Sequence, residues 1–243
     1  MSAALLSVAG VTAGYQPDLP IIRDISMSVA AGELVTIIGP NGAGKSTLIK
    51  AIAGQLRITS GRVTLDGADI TNIATYRMAE AGIAYVPQTE NIFSTLTVDE
   101  NLRVGAQPLP KPEARERIAE AYRTFPDLDP FRRQKAGVLS GGQRQMLAVA
   151  RALLTQPRLI MLDEPSAGLA PKMVDEVFSR LAGLVKTGVA ILMVEQNAKA
   201  AMQISDRTYV LAEGANRLDG PSARLLDDPE VAEIYLGRAG RKV

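Results

Sequence analysis

The chain has 243 residues, its acidic and basic side chains almost cancel to a net charge of +1, and it contains neither cysteine nor histidine. These counts exclude disulfides and the usual thiolate and imidazole metal sites, so any bound metal would have oxygen ligands, which Mg²⁺ prefers. No long run of one charge sign occurs, which gives no support for a nucleic-acid-binding face.

The first elements in chain order are two predicted strands, at 5–11 and 25–29, and we expect the first to lie at the edge of a sheet. The small and apolar N-terminal residues resemble a secretion signal in composition, but no basic residue precedes Arg23, so we do not expect secretion. The longest apolar runs, such as 189–194, are as long as a strand and much shorter than the roughly 20 residues of a membrane-spanning helix. We therefore expect no membrane span.

A glycine-rich segment at 39–47, G-P-N-G-A-G-K-S-T, follows the apolar run 33–38 and leads into a helical pattern over 46–54. We call this segment the phosphate loop, because its glycines let backbone N–H groups point inward at the positive end of a helix dipole, which favours an anion. Lys45 would meet the β and γ phosphates of a nucleotide, and the Ser46 hydroxyl would bind the Mg²⁺ that bridges them. An ordinary glycine-rich turn is the alternative, and the full G-x-x-x-x-G-K-S pattern between a strand and a helix makes it the weaker one. The candidate nucleotide-binding residues are Gly39, Pro40, Asn41, Gly42, Ala43, Gly44, Lys45, Ser46 and Thr47.

The next predicted strands, at 61–66 and 83–86, precede a change in composition. The second strand runs into Pro87 and Gln88, and from 97 to about 150 the pattern is helical, with a charged amphipathic helix at 113–122. We interpret this region as a helical subdomain inserted into an α/β core. The sequence thus predicts one domain over 1–243, with its core at 1–88 and 151–243 and the helical subdomain at about 89–150.

A second helix start follows at 139–143, where L-S-G-G-Q precedes a strong helical pattern. We call this stretch the signature segment. Ser140 offers a hydroxyl, and the glycines allow close backbone approach, so the segment suits an anion. A plain serine cap explains the same residues equally well.

The α/β core resumes with predicted strands at 158–162, 189–194 and 208–211 and a helix at 172–186, an alternation typical of a doubly wound fold. Asp163 and Glu164 follow the first of these strands, at the sheet edge where ligands bind in such folds. Asp163 would hold Mg²⁺, mainly through water, and Glu164 would orient and polarise the water that attacks the γ phosphate. An acidic strand end facing solvent is the alternative.

Taken in order, the phosphate loop, Gln88, the signature segment, L-I-M-L-D-E-P and S-A-G-L resemble the nucleotide-binding subunit of ATP-binding cassette transporters, over essentially the whole chain. The resemblance implies an ATP-hydrolysing P-loop NTPase with an α/β core, a mixed or parallel sheet, an N-terminal antiparallel β edge and an inserted helical subdomain. It implies ATP and Mg²⁺ as ligands, with Ser46, Gln88 and Asp163 around the metal. It also implies that two such subunits meet head to tail, so that one subunit closes over the ATP of the other with Ser140, Gly141, Gly142 and Gln143.

Two further positions take their roles from the same resemblance. Gln88 would link the metal and water site to the membrane subunits, and Tyr15 lies where the family places an aromatic ring that stacks on adenine. A lone tyrosine in a loop is a surface residue about as often.

A finer resemblance is to the LivF-type ATPase of branched-chain amino acid importers, in G-I-A-Y-V-P-Q, L-T-V-D-E-N-L, D-E-P-S-A-G-L-A-P, V-E-Q-N and the terminal Y-L-G. Importers of urea and short amides share much of this pattern. The resemblance implies a second ATPase subunit, identical or paralogous, polytopic permease subunits and, indirectly, a solute-binding protein. It places the chain on the cytoplasmic face of the plasma membrane, with no nucleic-acid partner.

Gln196 departs from the general cassette pattern, because most cassettes carry a histidine at this place. Its amide can donate a hydrogen bond to the γ phosphate but cannot become a cation. Glu164 is then the principal candidate base, with Gln196 and Gln88 as the other candidate catalytic residues. The alternative for Gln196 is a solvent-facing residue at a strand end.

Two other functions fit parts of the sequence. A soluble cassette protein acting on ribosomes or DNA would keep the ATP cycle, but the chain carries one cassette and no basic tail. A phosphate-loop kinase would give the signature segment no role.

Overall fold

The computed structural model describes residues 4–16 and 18–236, so the ends of the predicted domain, at 1–3 and 237–243, lie outside the described residues, as does the final glycine of Y-L-G. In chain order the strands are β1 (Ala4–Ala13), β2 (Ile22–Ala30), β3 (Leu34–Ile38), β4 (Ile58–Leu65), β5 (Ala68–Asp69), β6 (Ile83–Val86), β7 (Leu159–Asp163), β8 (Ala190–Val194), β9 (Arg207–Ala212) and β10 (Ala215–Pro221). The α-helices are α1 (Lys45–Ile52), α2 (Val98–Gly105), α3 (Lys111–Thr124), α4 (Gly141–Leu153), α5 (Pro171–Val185), α6 (Ala198–Ile204), α7 (Ser222–Leu225) and α8 (Pro229–Tyr235).

An antiparallel sheet with the strand order β2-β1-β4-β5 contains the N-terminus of the described chain. Its antiparallel character was predicted, whereas the place of β1 at the edge was wrong. β1 lies inside the sheet, since Leu6 pairs with Val29 of β2 on one side and with Leu65 of β4 on the other. The local sequence pattern of β1 predicts a strand. It does not predict that β4, from a distant segment, pairs with the second edge of β1.

The second sheet has the order β10-β9-β3-β8-β7-β6, with every neighbouring pair parallel except β10 and β9. Every residue of β3, β7 and β8 is buried, as their unbroken apolar runs predict for parallel strands covered on both faces. The carboxyl ends of these strands meet at one edge of the sheet. This edge carries the phosphate loop after β3, Glu164 after β7 and Gln196 beyond β8.

The two faces of the parallel sheet pack against different layers, because successive side chains of a strand point to opposite faces. In β8, Leu192 packs with α1 and the antiparallel sheet, whereas Ile191 and Met193 pack with α4 and α5. The phosphate loop and α1 are therefore held between the two sheets. A smaller cluster joins α6, α7 and α8 to Ile38 and Val210 of the parallel sheet.

Between β6 and β7 the chain is helical, with α2, α3 and α4, as predicted. The predicted boundary near 150 falls inside α4, and the division into a core and a helical subdomain stays a prediction. Within residues 4–16 and 18–236, no helix combines the length and the apolar character needed to span a membrane.

Candidate active site

The phosphate loop joins the buried strand β3 to α1, and two of its glycines are enforced by their surroundings. A Cβ atom on Gly39 would lie 2.1 Å from the carbonyl oxygen of Leu211, and Gly44 has φ +97° with the side chain of Ile22 beside it. Gly44 caps α1 without any side-chain hydrogen bond. The N–H groups of the first turn of α1 are therefore not capped by a side chain, which is the arrangement that binds anions at helix N-termini.

Lys45 lies across this loop with only 5% of its surface exposed. Its Nζ donates hydrogen bonds to the carbonyl oxygens of Gly39 at 2.8 Å and Pro40 at 3.2 Å. Burial lowers the pKa of the Lys45 ammonium, and the carboxylates of Glu164 and Asp163 oppose that change. The side chain thus places a positive charge against the carbonyl groups of the loop and near two carboxylates.

Asp163, the last residue of β7, accepts hydrogen bonds from two hydroxyl groups. Ser46 Oγ donates to Oδ1 at 3.1 Å, and Tyr85 Oη donates to Oδ2 at 3.4 Å. Asp163 is 4% exposed, and burial raises the pKa of its carboxyl, with the two hydrogen bonds acting in the opposite direction. Ser46 and Asp163 come together as predicted, whereas Tyr85 was not predicted to take part.

The hydroxyl of Ser46 and the carboxylate of Asp163 are the oxygen donors that Mg²⁺ prefers. Within the described part of the chain, no cluster of three or more acidic side chains could hold a metal by itself. The donor set therefore fits an ion that takes its remaining ligands from water and phosphate, as Mg²⁺ does.

Gln88 and Glu164 form a direct pair, in which Gln88 Nε2 donates to Glu164 Oε2 at 2.8 Å. The backbone of Glu164 has φ +48°, a left-handed conformation that is uncommon for a residue with a side chain. Its N–H donates to the carbonyl oxygen of Val194 at 2.9 Å, which fixes this turn against the end of β8. The carboxylate is thus presented beyond the sheet edge rather than along the strand.

Gln196 lies at the same edge and is exposed. Its Nε2 donates to Oδ1 of Asn41 in the phosphate loop at 3.1 Å, and Gln196 lines one cleft together with Glu164. The amide is therefore connected to the loop that would hold a nucleotide. The purely solvent-facing alternative does not account for this contact.

Glu195 is, with Tyr85, a residue at this edge that sequence reasoning missed, although it belongs to the quoted V-E-Q-N. It is 1% exposed, and its two carboxylate oxygens accept hydrogen bonds from the N–H and the Oγ of Ser166, each at 2.8 Å. Burial raises the pKa of its carboxyl, and the hydrogen bonds from Ser166 oppose this. Glu195 thereby ties the end of β8 to the segment after Glu164. An acidic residue directly after an apolar strand was the available signal.

Tyr15 follows β1 and is 59% exposed. It belongs to the loop between β1 and β2, whose end at Ile21 and Ile22 lies beside Gly44 of the phosphate loop. The Tyr15 ring is thus accessible, in a loop that borders the phosphate loop. Its stacking on adenine stays a prediction.

The signature segment lies apart from this edge. Ser140 caps α4, where its Oγ accepts from the N–H of Gln143 at 3.3 Å and Gln143 Oε1 accepts from the N–H of Ser140 at 2.9 Å. Ser140, Gly142 and Gln143 line a groove formed by residues between 125 and 180, which contains no residue of the phosphate loop. A Cβ atom on Gly141 would lie 2.6 Å from Leu169 Cδ2, so Gly141 packs closely on the chain after β7.

The structure therefore brings most of the predicted site residues together and leaves one group outside. The residues placed at or beside the carboxyl edge of the parallel sheet are Tyr15, Gly39, Pro40, Asn41, Gly42, Ala43, Gly44, Lys45, Ser46, Thr47, Gln88, Asp163, Glu164 and Gln196. The residues of the separate groove are Ser140, Gly142 and Gln143, with Gly141 among them in sequence.

Comparison with known proteins gives one family and a consistent set of relatives. The model of the family described as ABC transporter matches residues 22–167. A protein of Archaeoglobus fulgidus named probable branched-chain amino acid transport ATP-binding protein LivF is 41% identical, over 96% of this chain and 99% of its own length. The high-affinity branched-chain amino acid transport ATP-binding protein BraG of Pseudomonas aeruginosa is 39% identical, over 92% and 96%.

Solved structures agree with the fold. The ADP conformation of MJ1267, an ATP-binding cassette of an ABC transporter, superposes with a TM-score of 0.86 at 31% identity, over 97% of this chain and 100% of that one. A dimeric post-hydrolysis state of the cassette MJ0796, bound to ADP and Pi, gives a TM-score of 0.76 at 26% identity, over 89% and 98%. The predicted fold class is confirmed.

Proposed function

This chain belongs to the ABC transporter family as one of its ATP-hydrolysing subunits, and from that premise we propose that it powers an importer of branched-chain or related amino acids. The chain is an ATPase, which converts ATP and water to ADP and phosphate. The names of the relatives from Archaeoglobus fulgidus and Pseudomonas aeruginosa support branched-chain amino acids over urea and short amides.

One observation carries the proposed chemistry: two hydrogen-bonded pairs lie side by side at the carboxyl edge of the parallel sheet. Ser46 with Asp163 forms one pair, and Gln88 with Glu164 forms the other. The first offers oxygen ligands next to the phosphate loop, and the second offers a carboxylate that an amide holds by one hydrogen bond. Phosphoryl transfer to water needs these two functions next to each other.

In the proposed reaction, a water oxygen forms a bond to the γ phosphorus while the bond to the β,γ-bridging oxygen breaks. Glu164 orients the water and accepts its proton. Lys45 and the backbone N–H groups of the phosphate loop stabilise the negative charge on the phosphate oxygens. Gln196 donates an amide hydrogen bond to the γ phosphate. Since these groups are fixed before the reaction, positioning and charge stabilisation account for most of the catalysis.

Ser46 and Asp163, with the amide oxygen of Gln88, would hold Mg²⁺. The ion would supply neutralisation of the triphosphate charge.

The separate groove of the signature segment supports a paired arrangement, in which Ser140, Gly141, Gly142 and Gln143 serve a nucleotide bound by a second ATPase subunit. The dimeric state of the neighbour MJ0796 supports the same arrangement. Permease subunits would hold the pair at the cytoplasmic face of the plasma membrane, and a solute-binding protein would act through them. We propose that nucleic acid is not among the partners of this assembly.

The test is purification of the tagged chain from solubilised membranes, followed by identification of the polytopic subunits that accompany it. The assembly, reconstituted in liposomes with its solute-binding protein, should take up labelled leucine when ATP is enclosed with it. The same assembly with Lys45→Ala should take up none.

Each alternative has its own outcome in this test. Uptake of urea without uptake of leucine would overturn the proposed solute class. Recovery of the chain on ribosomes without any polytopic subunit would overturn the transport role, and phosphorylation of an acceptor that is independent of Ser140 would favour a kinase.

A further inference from the structure

The last helix of the described chain makes a direct contact with the start of the phosphate loop. The phenol oxygen of Tyr235 accepts a hydrogen bond from the N–H of Gly39 at 2.9 Å, although the two residues are 196 positions apart in the chain. Tyr235 is the first residue of the quoted Y-L-G, and the proposed chemistry gives it no role. A contact that joins two distant segments at the loop is a candidate for positioning that loop.

The position of Tyr235 is set by the packing of α8. Val231 and Ile234 of this helix are buried in one cluster with Ile38 and Val210 of the parallel sheet. Ile38 directly precedes Gly39, so α8 lies against the strand end from which the phosphate loop departs. Burial raises the pKa of the Tyr235 phenol to about 12, and the hydroxyl therefore stays protonated and neutral at physiological pH.

Gly39 cannot carry a side chain, so contacts of its backbone groups must set its orientation. A side chain there would collide with the carbonyl of Leu211, at 2.1 Å from the Cβ position. Its carbonyl oxygen accepts from Lys45 Nζ, and its N–H donates to Tyr235. If the Lys45 ammonium rotates to contact a bound phosphate, its hydrogen bond to the Gly39 carbonyl oxygen is lost. The hydrogen bond to Tyr235 then remains as the side-chain contact that orients Gly39.

We propose that Tyr235 is a positioning residue that holds the start of the phosphate loop in the geometry that binds nucleotide, so that nucleotide affinity depends on the C-terminal helix α8. This inference rests on the proposed role of the phosphate loop. The competing explanation is that the hydroxyl only secures α8 to the rest of the fold.

Tyr209 provides a matched control. Its phenol oxygen also accepts from a backbone N–H, that of Ser28 at 3.1 Å, but this contact joins β9 to β2 rather than to the phosphate loop. Tyr209→Phe and Tyr235→Phe therefore both remove a hydrogen bond to a backbone N–H, and Tyr209→Phe also removes the one that Arg207 Nη2 donates to the same phenol oxygen. Both substitutions should lower the stability of the fold. Only Tyr235→Phe should also lower the affinity for nucleotide.

The experiment measures the dissociation constants of ATP and ADP, with magnesium, for the purified full chain. We expect Tyr235→Phe to weaken both nucleotides by about 3- to 10-fold, the usual effect of losing one hydrogen bond. Tyr209→Phe should leave both constants within about twofold of wild type. Equal affinities in the two variants would overturn the inference.

Ile234→Val is the second variant, since it thins the core contact of α8 but keeps the hydroxyl. It should lower the free energy of unfolding and leave nucleotide affinity unchanged. If Ile234→Val weakens binding as much as Tyr235→Phe does, helix stability alone explains the effect and the positioning role is overturned.

Lys45→Ala separates this inference from the proposal on which it rests. If Lys45→Ala leaves ATP binding unchanged, the assignment of the phosphate loop fails and the role of Tyr235 fails with it. If Lys45→Ala abolishes binding while Tyr235→Phe behaves like Tyr209→Phe, only the role of Tyr235 is overturned.

Discussion

At the scale of single residues, Glu164 combines an uncommon backbone conformation with a defined side-chain partner. Its φ of +48° turns the chain away from β7, and Gln88 holds its carboxylate through one hydrogen bond. Conformations of this kind persist where surrounding contacts enforce them and are frequent at active sites. The geometry agrees with a group that must face a water molecule rather than the core.

Glu164→Gln keeps the size of the side chain and removes its basic carboxylate. We expect ATP binding to stay intact and turnover to fall by roughly 10²- to 10⁴-fold, the usual contribution of a general base. Steady-state ATPase assays with a nucleotide-binding measurement check this, with the exposed Glu80→Gln as control. Gln196→Ala should have a milder effect, and turnover of Glu164→Gln within tenfold of wild type would reject Glu164 as the base.

Glu195 should make the stability of the protein depend on pH. Because burial raises the pKa of its carboxyl above the ordinary value of 4.5, the folded state binds this proton more tightly than the unfolded state. Its stability contribution is fully present below pH 4.5 and is lost as pH rises through the folded-state pKa. Glu195→Gln does not titrate and should escape that loss.

The measurement is urea unfolding of wild type and Glu195→Gln between pH 4 and pH 8. The free energy of unfolding of the variant, minus that of wild type, should rise with pH by at most about 1.4 kcal/mol per pH unit and then level off. Glu80→Gln, at an exposed position, should give a flat difference. A difference that falls with pH for Glu195→Gln would contradict the prediction.

The sequence predicted Lys45, Asp163 and Glu164 because each belongs to a local pattern with a known chemical use. Tyr85 and Glu195 were missed because their partners belong to other segments. The bond from Tyr85 to Asp163 exists only because β6 pairs with β7, and Glu195 reaches Ser166 only because β8 pairs with β7. Strand order in a parallel sheet is not readable from any one segment.

At the scale of elements, the start of α2 is built around one buried amide. Asn101 is fully buried, and its Oδ1 accepts from the N–H of Phe93 at 2.8 Å. Its Nδ2 donates to the carbonyl oxygens of Phe93 and Thr97, each at 2.9 Å. Thr97 in turn caps α2 through a capping box with Glu100. The quoted L-T-V-D-E-N-L thus encodes a helix start and the turn before it.

Asn101→Leu keeps the volume of the side chain but leaves the N–H of Phe93 without the acceptor it has here, and it takes one of two donors from each of the carbonyl oxygens of Phe93 and Thr97. We expect the free energy of unfolding to fall by about 1–3 kcal/mol, the cost of leaving one polar group unpaired. Urea unfolding measures this, with Gln107→Ala at the exposed end of the same region as the control. A loss below 1 kcal/mol would show that the turn finds other partners.

Long apolar or periodic elements were predicted well, and short or peripheral ones were not. β3, β7 and β8 are recognisable because burial on both faces requires unbroken apolar runs. α6, α7, α8 and β10 were not predicted, since α7 has only 4 residues and β10 exposes alternate polar side chains at the edge of its sheet. Their stability comes from packing on the parallel sheet, which local propensity does not report.

At the scale of the whole molecule, the two groups of site residues define a test of pairing. Lys45→Ala should disable the phosphate loop of a subunit. Ser140→Asp should disable its signature segment, because aspartate caps a helix as well as serine does but adds a negative charge that repels phosphate. In a symmetric head-to-tail pair, each variant alone should lack any intact site.

An equimolar mixture of the two variants should recover about a quarter of wild-type ATPase activity, since half the pairs are mixed and each mixed pair rebuilds one of two sites. ATPase assays at high protein concentration measure the recovery. The single variants at the same concentration are the controls. Full activity of each variant alone, with no gain on mixing, would contradict pairing through these residues.

The capping box at Ser140 bears on whether α4 must change its conformation when such pairs form and separate. In the cap, the Ser140 oxygen receives the proton of the Gln143 N–H, so the hydroxyl's own proton is not used within the helix. In the proposed pair, the hydroxyl can donate this proton in a hydrogen bond to a phosphate of the nucleotide bound by the neighbouring subunit, while α4 keeps its helical hydrogen bonds. Binding and release of that phosphate would then require no unwinding of the first turn of α4. Each transport cycle would begin with the helix in the same conformation.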